Sequence, residues 1–168
     1  MKRECRRSLI CYDPNVRLNV EPDLARWRAV LEWMLARTHL LMVSEEDLGL
    51  LYPGETPAAL ASRWLAAGVA LVVVTRGAEG ALAWTARHHV GVPAVAYTMV
   101  DTVGAGDSFQ CALLAWLAGR RCLLAPALRE LGRADLAAAL LFAGQAAAVT
   151  CTRRGANLPR LDELAGTV

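Results

Sequence analysis

The sequence predicts an α/β fold with a largely parallel sheet, because short strand-like runs alternate along the chain with segments of helical spacing. The clearest strand covers residues 69–75, which are nearly all aliphatic and β-branched, as in a strand buried on both faces. The clearest helix is the alanine-rich segment at residues 134–149. Open sheets of this kind bind ligands beyond the carboxyl ends of their strands, so we expect a site there.

The first part of the chain predicts two strands with a helix between them. Residues 8–12 and 40–43 are short apolar runs, and polar residues follow each of them. Pro22 and the apolar residues after it predict a helix of about 15 residues. Ser44 can cap a second helix, and Asp47 lies at the capping-box position, although Glu or Gln is the usual partner there.

The alternation continues through the rest of the chain. Thr56 and Pro57 open a third helix, which Gly68 closes. The remaining elements are a turn, two strands and a helix, at residues 76–80, 81–86, 90–97 and 104–119.

Composition places the chain among single globular domains. Its 168 residues, 55% of them hydrophobic and 20% charged, are enough for one domain over residues 1–168 with a substantial core. The net charge of +2 is too small to predict a nucleic-acid partner. The five cysteines are scattered without a Cys-x-x-Cys motif, which favours free thiols in the cytoplasm. We expect no signal peptide, and no apolar run of the roughly 18 residues that a membrane span needs.

The most informative stretch is residues 101–109, which include Gly104, Ala105, Gly106 and Asp107 at a predicted helix start. The first N–H groups of a helix have no intrahelical partner and carry partial positive charge. Because the glycines keep side chains away, a phosphate could approach these N–H groups, and Asp107 could accept a proton from an attacking hydroxyl. The alternative is an ordinary helix start, in which Asp107 only complements the helix dipole.

Two further motifs follow predicted strands. Residues 13–17 read Asp-Pro-Asn-Val-Arg, and residues 74–81 contain two glycines three positions apart. Each could be a simple polar turn or hairpin. Both lie at the edge where a ligand is expected, and the planar guanidinium of Arg17 suits a phosphate or a carboxylate.

The run at residues 101–109 resembles the signature of the ribokinase-like carbohydrate kinases, a family that includes fructokinase and 2-keto-3-deoxygluconate kinase. The resemblance implies a three-layer α/β/α fold and ATP-dependent transfer of a phosphoryl group to a primary hydroxyl of a sugar. It also implies that the backbone of Gly104, Ala105 and Gly106 binds this phosphoryl group and that Asp107 is the catalytic base. ATP and Mg²⁺ would be the cofactors.

The same resemblance implies roles for the other motifs. Fructokinases and 2-keto-3-deoxygluconate kinases have a similar Asp-Pro-Asn-x-Arg segment, so Asp13 and Arg17 would contact phosphate or substrate. The segment at residues 146–157 would close the adenine pocket and, with the backbone carbonyl of Asp101, hold a monovalent cation such as K⁺. The implied nucleotide contacts are Asn15, Thr75, Gly77, Gly80, Gly144 and Gly155.

The chain departs from the family pattern at three positions. The family often has Asn-x-x-Glu, or Ser-x-x-Glu after a lysine, where this chain has Met42 in the lysine position and Asp47 as the final acid. Asp47 is thus the candidate Mg²⁺ ligand. Gly144 stands where ribokinases often have asparagine. A P-loop or a protein-kinase site is excluded, because Lys2 is the only lysine.

The resemblance runs from Ser8 to about Leu164 but corresponds only to the carboxyl-terminal half of the family. The first strand, interior in a complete sheet, would then be an unpaired edge. The sequence therefore predicts a partner, either the missing amino-terminal half or a second copy in a homodimer, besides ATP and a small sugar. A catalytically inactive nucleotide-binding fragment and a structural partner of another polypeptide stay open as alternatives. Fructose and 2-keto-3-deoxygluconate are the sugars that the Asp-Pro-Asn-x-Arg segment favours.

Overall fold

The computed structural model describes residues 8–164, which contain a five-stranded sheet with helices packed against it. The strands lie in the sheet in chain order, as β1 (Cys11–Tyr12), β2 (Leu40–Ser44), β3 (Leu71–Thr75), β4 (Ala81–Trp84) and β5 (His89–Val92). The β1–β2 and β2–β3 pairs are parallel, and the β3–β4 and β4–β5 pairs are antiparallel. The α/β fold class is confirmed, with a mixed sheet.

The antiparallel strands are a correction to the largely parallel sheet that the sequence predicts. Only residues 76–80 join β3 to β4, whereas a parallel crossover needs about a dozen residues or more. The turn from β4 to β5, at residues 85–88, is shorter still. The Thr85 hydroxyl accepts the N–H groups of Arg87 and His88 there, at 3.4 and 3.1 Å. Connections of this length can join antiparallel strands in a hairpin but are too short for a parallel crossover.

The helices of the described residues are α1 (Leu24–Leu35), α2 (Glu45–Leu51), α3 (Pro57–Ala66), α4 (Ala105–Gly119), α5 (Ala125–Arg129), α6 (Arg133–Cys151) and α7 (Leu161–Leu164), with a 3₁₀ turn at Gly77–Glu79. The sequence does not predict α5 and α7, because five and four residues are too few to show a helical period. The strand expected at residues 90–97 ends at Val92, since Pro93 has no N–H for the ladder.

The predicted caps of α2 and α3 are confirmed. The Ser44 hydroxyl accepts the N–H of Asp47 at 3.0 Å, and the Thr56 hydroxyl accepts the N–H of Ala59 at 3.2 Å. Each bond satisfies a first-turn N–H that has no partner inside its helix. Both helices therefore begin where the sequence places them.

Alternate residues of the central strands face two separate cores. Leu40 and Met42 of β2 belong to a core that includes residues of α4 and α6, whereas Leu41 and Val43 belong to a core that includes residues of α1, α2 and α3. Side chains of a strand alternate between the faces of its sheet, so the helices lie in two layers, one on each face. This arrangement is the three-layer α/β/α architecture.

Helix α6 is 19 residues long and apolar enough to cross a membrane by length and composition. The expectation that no apolar run approaches this length is therefore wrong. Its buried residues include Leu136, Leu140 and Ala143, which pack in the core beside α4. Burial of this face explains the apolar composition of the helix, as in the core helix of a globular domain.

Strand β1 lies at one edge of the sheet. Within the described residues it pairs with β2 alone, through Cys11 and Tyr12. An edge strand presents N–H and C=O groups that another strand can bind. The position of β1 agrees with the expected unpaired edge.

Candidate active site

The carboxyl ends of β1, β2 and β3 meet at one edge of the sheet. Asp13 follows β1 directly, and Ser44 at the end of β2 pairs with Thr75 at the end of β3. The turn at residues 76–80 follows at the same edge. The parallel part of the sheet thus brings together the motifs that the sequence selects, at the edge where such sheets bind ligands.

The start of α4 leaves backbone N–H groups open. Gly104 precedes the helix in the left-handed conformation, with φ of 81°, and supplies no side-chain cap. The N–H of Ala105 donates to the carbonyl of Thr102 at 3.2 Å. The next two N–H groups, of Gly106 and Asp107, are first-turn donors without an intrahelical acceptor. They carry the partial positive charge of the helix start and are suited to an anion.

The fold requires glycine at position 104 but not at position 106. A Cβ on Gly104 would lie 2.9 Å from Cβ of Ala156, and the φ of 81° disfavours other residues. A Cβ on Gly106 would meet nothing within 4 Å, and this exposed residue lies in the helix. Since glycine weakens a helix relative to alanine, neither packing nor helix stability accounts for glycine at position 106.

A cleft opens between the turn after β3, the segment after β5 and the helices α4 and α6. Six of the residues predicted for the site line it: Thr75, Gly77, Gly80, Ala105, Gly106 and Gly144. Asn15 and Gly155, which the resemblance also implies as nucleotide contacts, are not among the lining residues. The remaining walls are mostly apolar, which suits a flat heterocyclic base.

Sequence reasoning missed the apolar walls of this cleft. One wall is the segment after β5, with Pro93, Val95 and Tyr97. The other is a face of α6 formed by small residues at positions 144, 147, 148 and 151. The spacing of three, one and three places all four on one side of a helix, so it could have indicated this wall.

The turn after β3 closes one end of the cleft. Gly80 has φ of 92°, and a Cβ there would lie 2.0 Å from the carbonyl oxygen of Val92. Arg76 holds the turn from outside, with its guanidinium 3.1 Å from the Glu79 carboxylate and a bond of 3.0 Å to the Glu79 carbonyl. Close backbone contact between the turn and the end of β5 therefore fixes the position of Thr75, Gly77 and Gly80.

The Asp13 carboxyl lies close enough to three other charged groups, Asp47, Asp107 and Arg17, for their charges to change its pKa. Burial raises the pKa of Asp13 to about 6, and the charges of Asp47 and Asp107 add to this rise. Two interactions oppose it: the Asn15 N–H, which donates to Oδ1 of Asp13 at 3.0 Å, and the charge of Arg17. Burial also raises the pKa of Asp47. Asp107 itself is exposed. Asp13 and the exposed Asp107 thus belong to one charged group at the carboxyl end of β1 and the start of α4.

The raised pKa of Asp13 predicts how stability depends on pH. The folded chain holds the proton up to about pH 6, whereas the usual pKa is 3.8, so folding becomes less favourable as the pH rises from about 4 to 6. We expect this group to lower the free energy of unfolding by roughly 1–3 kcal/mol across that range. Urea unfolding of the parent and Asp13→Asn, without metal, measures it, and the difference between them should change with pH as stated. A pH-independent difference would contradict the raised pKa.

Asp101 ties the loop before α4 to the segment after α6. Its carboxylate accepts the N–H of Gly155 at 2.8 Å and that of Val103 at 3.1 Å, and these bonds lower its pKa. Its backbone N–H donates to the carbonyl of Cys151 at 3.2 Å. Gly155 therefore holds the loop that precedes the open N–H groups at the start of α4.

The accessible carboxylates fit a magnesium ion that is shared with a nucleotide. Mg²⁺ is usually held by one or two carboxylates together with phosphates and water. Asp13 and Asp107 could meet this requirement, because the charge of Asp107 acts on Asp13 and each keeps some exposure, although neither lines the cleft itself. Within residues 8–164, no group of three His, Cys, Asp or Glu side chains is arranged to hold a metal without such phosphates.

Comparison with known proteins agrees with this geometry. The model of the pfkB family carbohydrate kinases matches residues 2–163. The chain belongs to this family. The predicted resemblance is confirmed, and the Gly-Ala-Gly-Asp run of this family member lies at the start of α4, beside the cleft.

Family members of known name cover this chain well but extend far beyond it. A fructokinase of Rhizobium leguminosarum bv. trifolii is 40% identical over 117 residues, which are 70% of this chain and 36% of that enzyme. An E. coli protein provisionally named ribokinase II, solved with ATP and Mg²⁺, is 31% identical with a TM-score of 0.72, over 94% of this chain and 47% of its own. A fructokinase double mutant from Vibrio cholerae O395, solved with fructose, ADP and potassium ion, is 27% identical with a TM-score of 0.78, over 94% of this chain and 49% of its own. The chain thus spans half or less of each of these proteins.

Proposed function

We propose that this chain is the nucleotide-binding and catalytic part of an ATP-dependent sugar kinase. The observation that carries the proposal is the exposed carboxylate of Asp107 beside the open N–H groups at the start of α4. Phosphoryl transfer needs donors for the charge on the transferring group and an acceptor for the proton of the attacking hydroxyl. Four consecutive residues, Gly104 to Asp107, would supply both the donors and the acceptor.

In the proposed reaction, Asp107 takes the proton from a primary hydroxyl of the sugar as its oxygen attacks the γ-phosphorus of ATP. The N–H groups of Gly106 and Asp107 stabilise the charge on the phosphoryl oxygens, and ADP leaves. Bound Mg²⁺, held by Asp13 together with the phosphates, would neutralise part of the phosphate charge, and Asp107 stays free to act as the base. The apolar cleft beside Thr75 and Gly144 would hold the base.

The sugar is proposed to be fructose or 2-keto-3-deoxygluconate. The names of the relatives favour fructose, since the Rhizobium relative is a fructokinase and the Vibrio structure contains fructose. The position of Arg17 beside Asp13 suits a substrate with a phosphate or a carboxylate, as 2-keto-3-deoxygluconate has. Turnover with each sugar in turn separates the two.

We also propose that the chain binds a potassium ion and that it is located in the cytoplasm. The Vibrio fructokinase was solved with a potassium ion, and in this chain the backbone carbonyl of Asp101 would serve such a cation. The Asp101 side chain already fixes this loop to Gly155. The scattered free cysteines, including exposed Cys111, favour the reducing cytoplasm.

The deciding experiment measures ATP binding and sugar-dependent release of ADP by the purified chain. Turnover by the chain, or turnover restored by adding the amino-terminal half of a fructokinase, supports the proposed kinase. ATP binding without turnover in either case supports an inactive nucleotide-binding fragment. Absence of ATP binding contradicts the proposed function and favours a structural partner of another polypeptide.

Replacing Gly144 with alanine should lower ATP affinity without harming the fold. The new methyl group would lie in ordinary contact, 3.9 Å from Val95, but it projects from a residue that lines the cleft. We expect Kd for ATP to rise about tenfold while the fold gains up to about 1 kcal/mol of helix stability. Gly49→Ala in α2 is the matched control, since its Cβ meets nothing within 4 Å and Gly49 does not line the cleft. Equal Kd values for the two variants would place the nucleotide elsewhere.

A further inference from the structure

Asp47 is a buried acid whose contacts differ from those of a metal ligand. Asp47 is 7% exposed. The other buried polar residues within residues 8–164 are threonines and a serine, which carry no charge. Its N–H donates to the Ser44 hydroxyl, as expected for the start of α2. Its carboxylate, however, reaches across to the loop after β1 and accepts the N–H of Val16 at 3.4 Å.

Val16 belongs to the loop at residues 13–17, which carries Asp13 and Arg17. Its side chain is 5% exposed and belongs to the core that includes Leu48 and Leu51 of α2. The loop is thus fixed twice at one residue, by an apolar side chain in the core and by a backbone N–H on Asp47. The hydrogen bond comes from α2, and α2 also contributes to that core.

Arg17 follows directly and is attracted to Asp47 without forming an ion pair with it. The charge of Arg17 opposes the burial-induced rise in the pKa of Asp47. No ion pair of Arg17 is found in the described part of the chain, and its Nη1 donates to the Val16 carbonyl at 2.9 Å. The guanidinium is therefore held near the loop, and its remaining donors are left for an anion.

We propose that Asp47 is a positioning residue, which holds the Val16 N–H and so keeps Asp13 and Arg17 in place after β1, and that it is not a Mg²⁺ ligand. The roles of Asp13 and Arg17 in this statement rest on the proposed function. Mg²⁺ keeps several waters when it binds to a protein. A buried carboxylate already engaged by a backbone N–H offers little space for such a hydrated ion.

The loop-holding role is tested by amide hydrogen exchange of the whole chain, followed by NMR without nucleotide. In Asp47→Ala, we expect the Val16 amide to exchange about tenfold faster than in the parent, the change that loss of one buried hydrogen bond produces. The Val73 amide in β3 should be unchanged and reports on the fold. Glu46→Ala, an exposed acid in the same helical turn, is the control and should leave Val16 unchanged. If Asp47→Ala does not fold, Asp47→Ser replaces it, because its shorter side chain cannot reach Val16.

Equal exchange of Val16 in the parent and in the folded variant would overturn the proposal.

The statement that Asp47 is not a Mg²⁺ ligand is tested with Asp47→Asn, which keeps an oxygen acceptor and loses the charge. We expect the Mg²⁺ concentration that half-saturates ATP binding to change less than about twofold, whereas loss of a metal contact costs about tenfold or more. A rise of that size would also overturn the proposal. If the parent binds no ATP, the proposed function fails, and the exchange of Val16 still decides the loop-holding role.

Discussion

Replacing Asp107 with asparagine is expected to lower kcat for sugar phosphorylation by a factor of about 10²–10⁴, with little change in KM for ATP. Asparagine has nearly the same shape, and residue 107 is exposed in the first turn of α4, so the fold should not change. The amide cannot accept the proton of the attacking hydroxyl, whereas the N–H groups of the helix start remain. Steady-state ADP release with saturating ATP measures the effect.

Asp135→Asn is the matched control for this variant. Asp135 is also an acid in the first turn of a helix, but its carboxylate accepts the Gly132 N–H at 3.3 Å. No residue of its helical turn lines the cleft, whereas Ala105 and Gly106 next to Asp107 do. We expect kcat of this variant to equal that of the parent. Where turnover requires an added amino-terminal half, all three chains are measured with it. An Asp107→Asn chain as fast as the parent would contradict the role of Asp107 as base.

Replacing Gly80 with alanine is expected to cost the fold about 3 kcal/mol or more. The residue has φ of 92°, and the added Cβ would lie 2.0 Å from the Val92 carbonyl oxygen, 2.6 Å from the Pro93 carbonyl carbon and 2.7 Å from the Ala94 nitrogen. All three are backbone atoms, so relief requires the end of β5 to move away from the turn after β3. The free energy of unfolding, measured in urea, reports this cost.

Gly54→Ala separates the clash from the backbone strain. Gly54 has a similar φ of 85°, but its Cβ would meet nothing within 4 Å. This variant should therefore lose only the cost of the left-handed conformation, about 1 kcal/mol. Losses of equal size at the two positions would show that the turn and the end of β5 are not in close contact.

The parts of the fold that could be predicted from the sequence are those with a local cause. The strand at β3 is continuous aliphatic sequence, and Ser44 and Thr56 cap their helices through their own side chains. The Gly-Ala-Gly-Asp run at the start of α4 likewise depends on neighbouring residues alone. Because these signals act within one turn or one strand, they need no knowledge of the tertiary structure.

The features that could not be predicted depend on contacts between distant segments. Asp47 and Val16 are 31 positions apart, so nothing in the sequence near Asp47 shows that its carboxylate bonds the loop after β1. The bond between Asp101 and Gly155 spans 54 positions in the same way. The apolar walls of the cleft also come from separate segments. Of these walls, the sequence indicates only the one on α6, through the helical spacing of its small residues. Side-chain partners at such separation are set by the packing of the whole fold.

The proposed reaction requires the amides at the start of α4 to bind the terminal phosphates of a nucleotide. Titration of the ¹⁵N-labelled chain with ATP and Mg²⁺, followed by NMR, tests this binding. We expect the amide signals of Gly106 and Asp107 to shift with the same Kd as those of Thr75 and Gly144 in the cleft. We also expect ADP to shift the signals of Thr75 and Gly144 with far smaller changes at Gly106 and Asp107. Binding of ATP that leaves the Gly106 and Asp107 signals in place would contradict the proposed reaction.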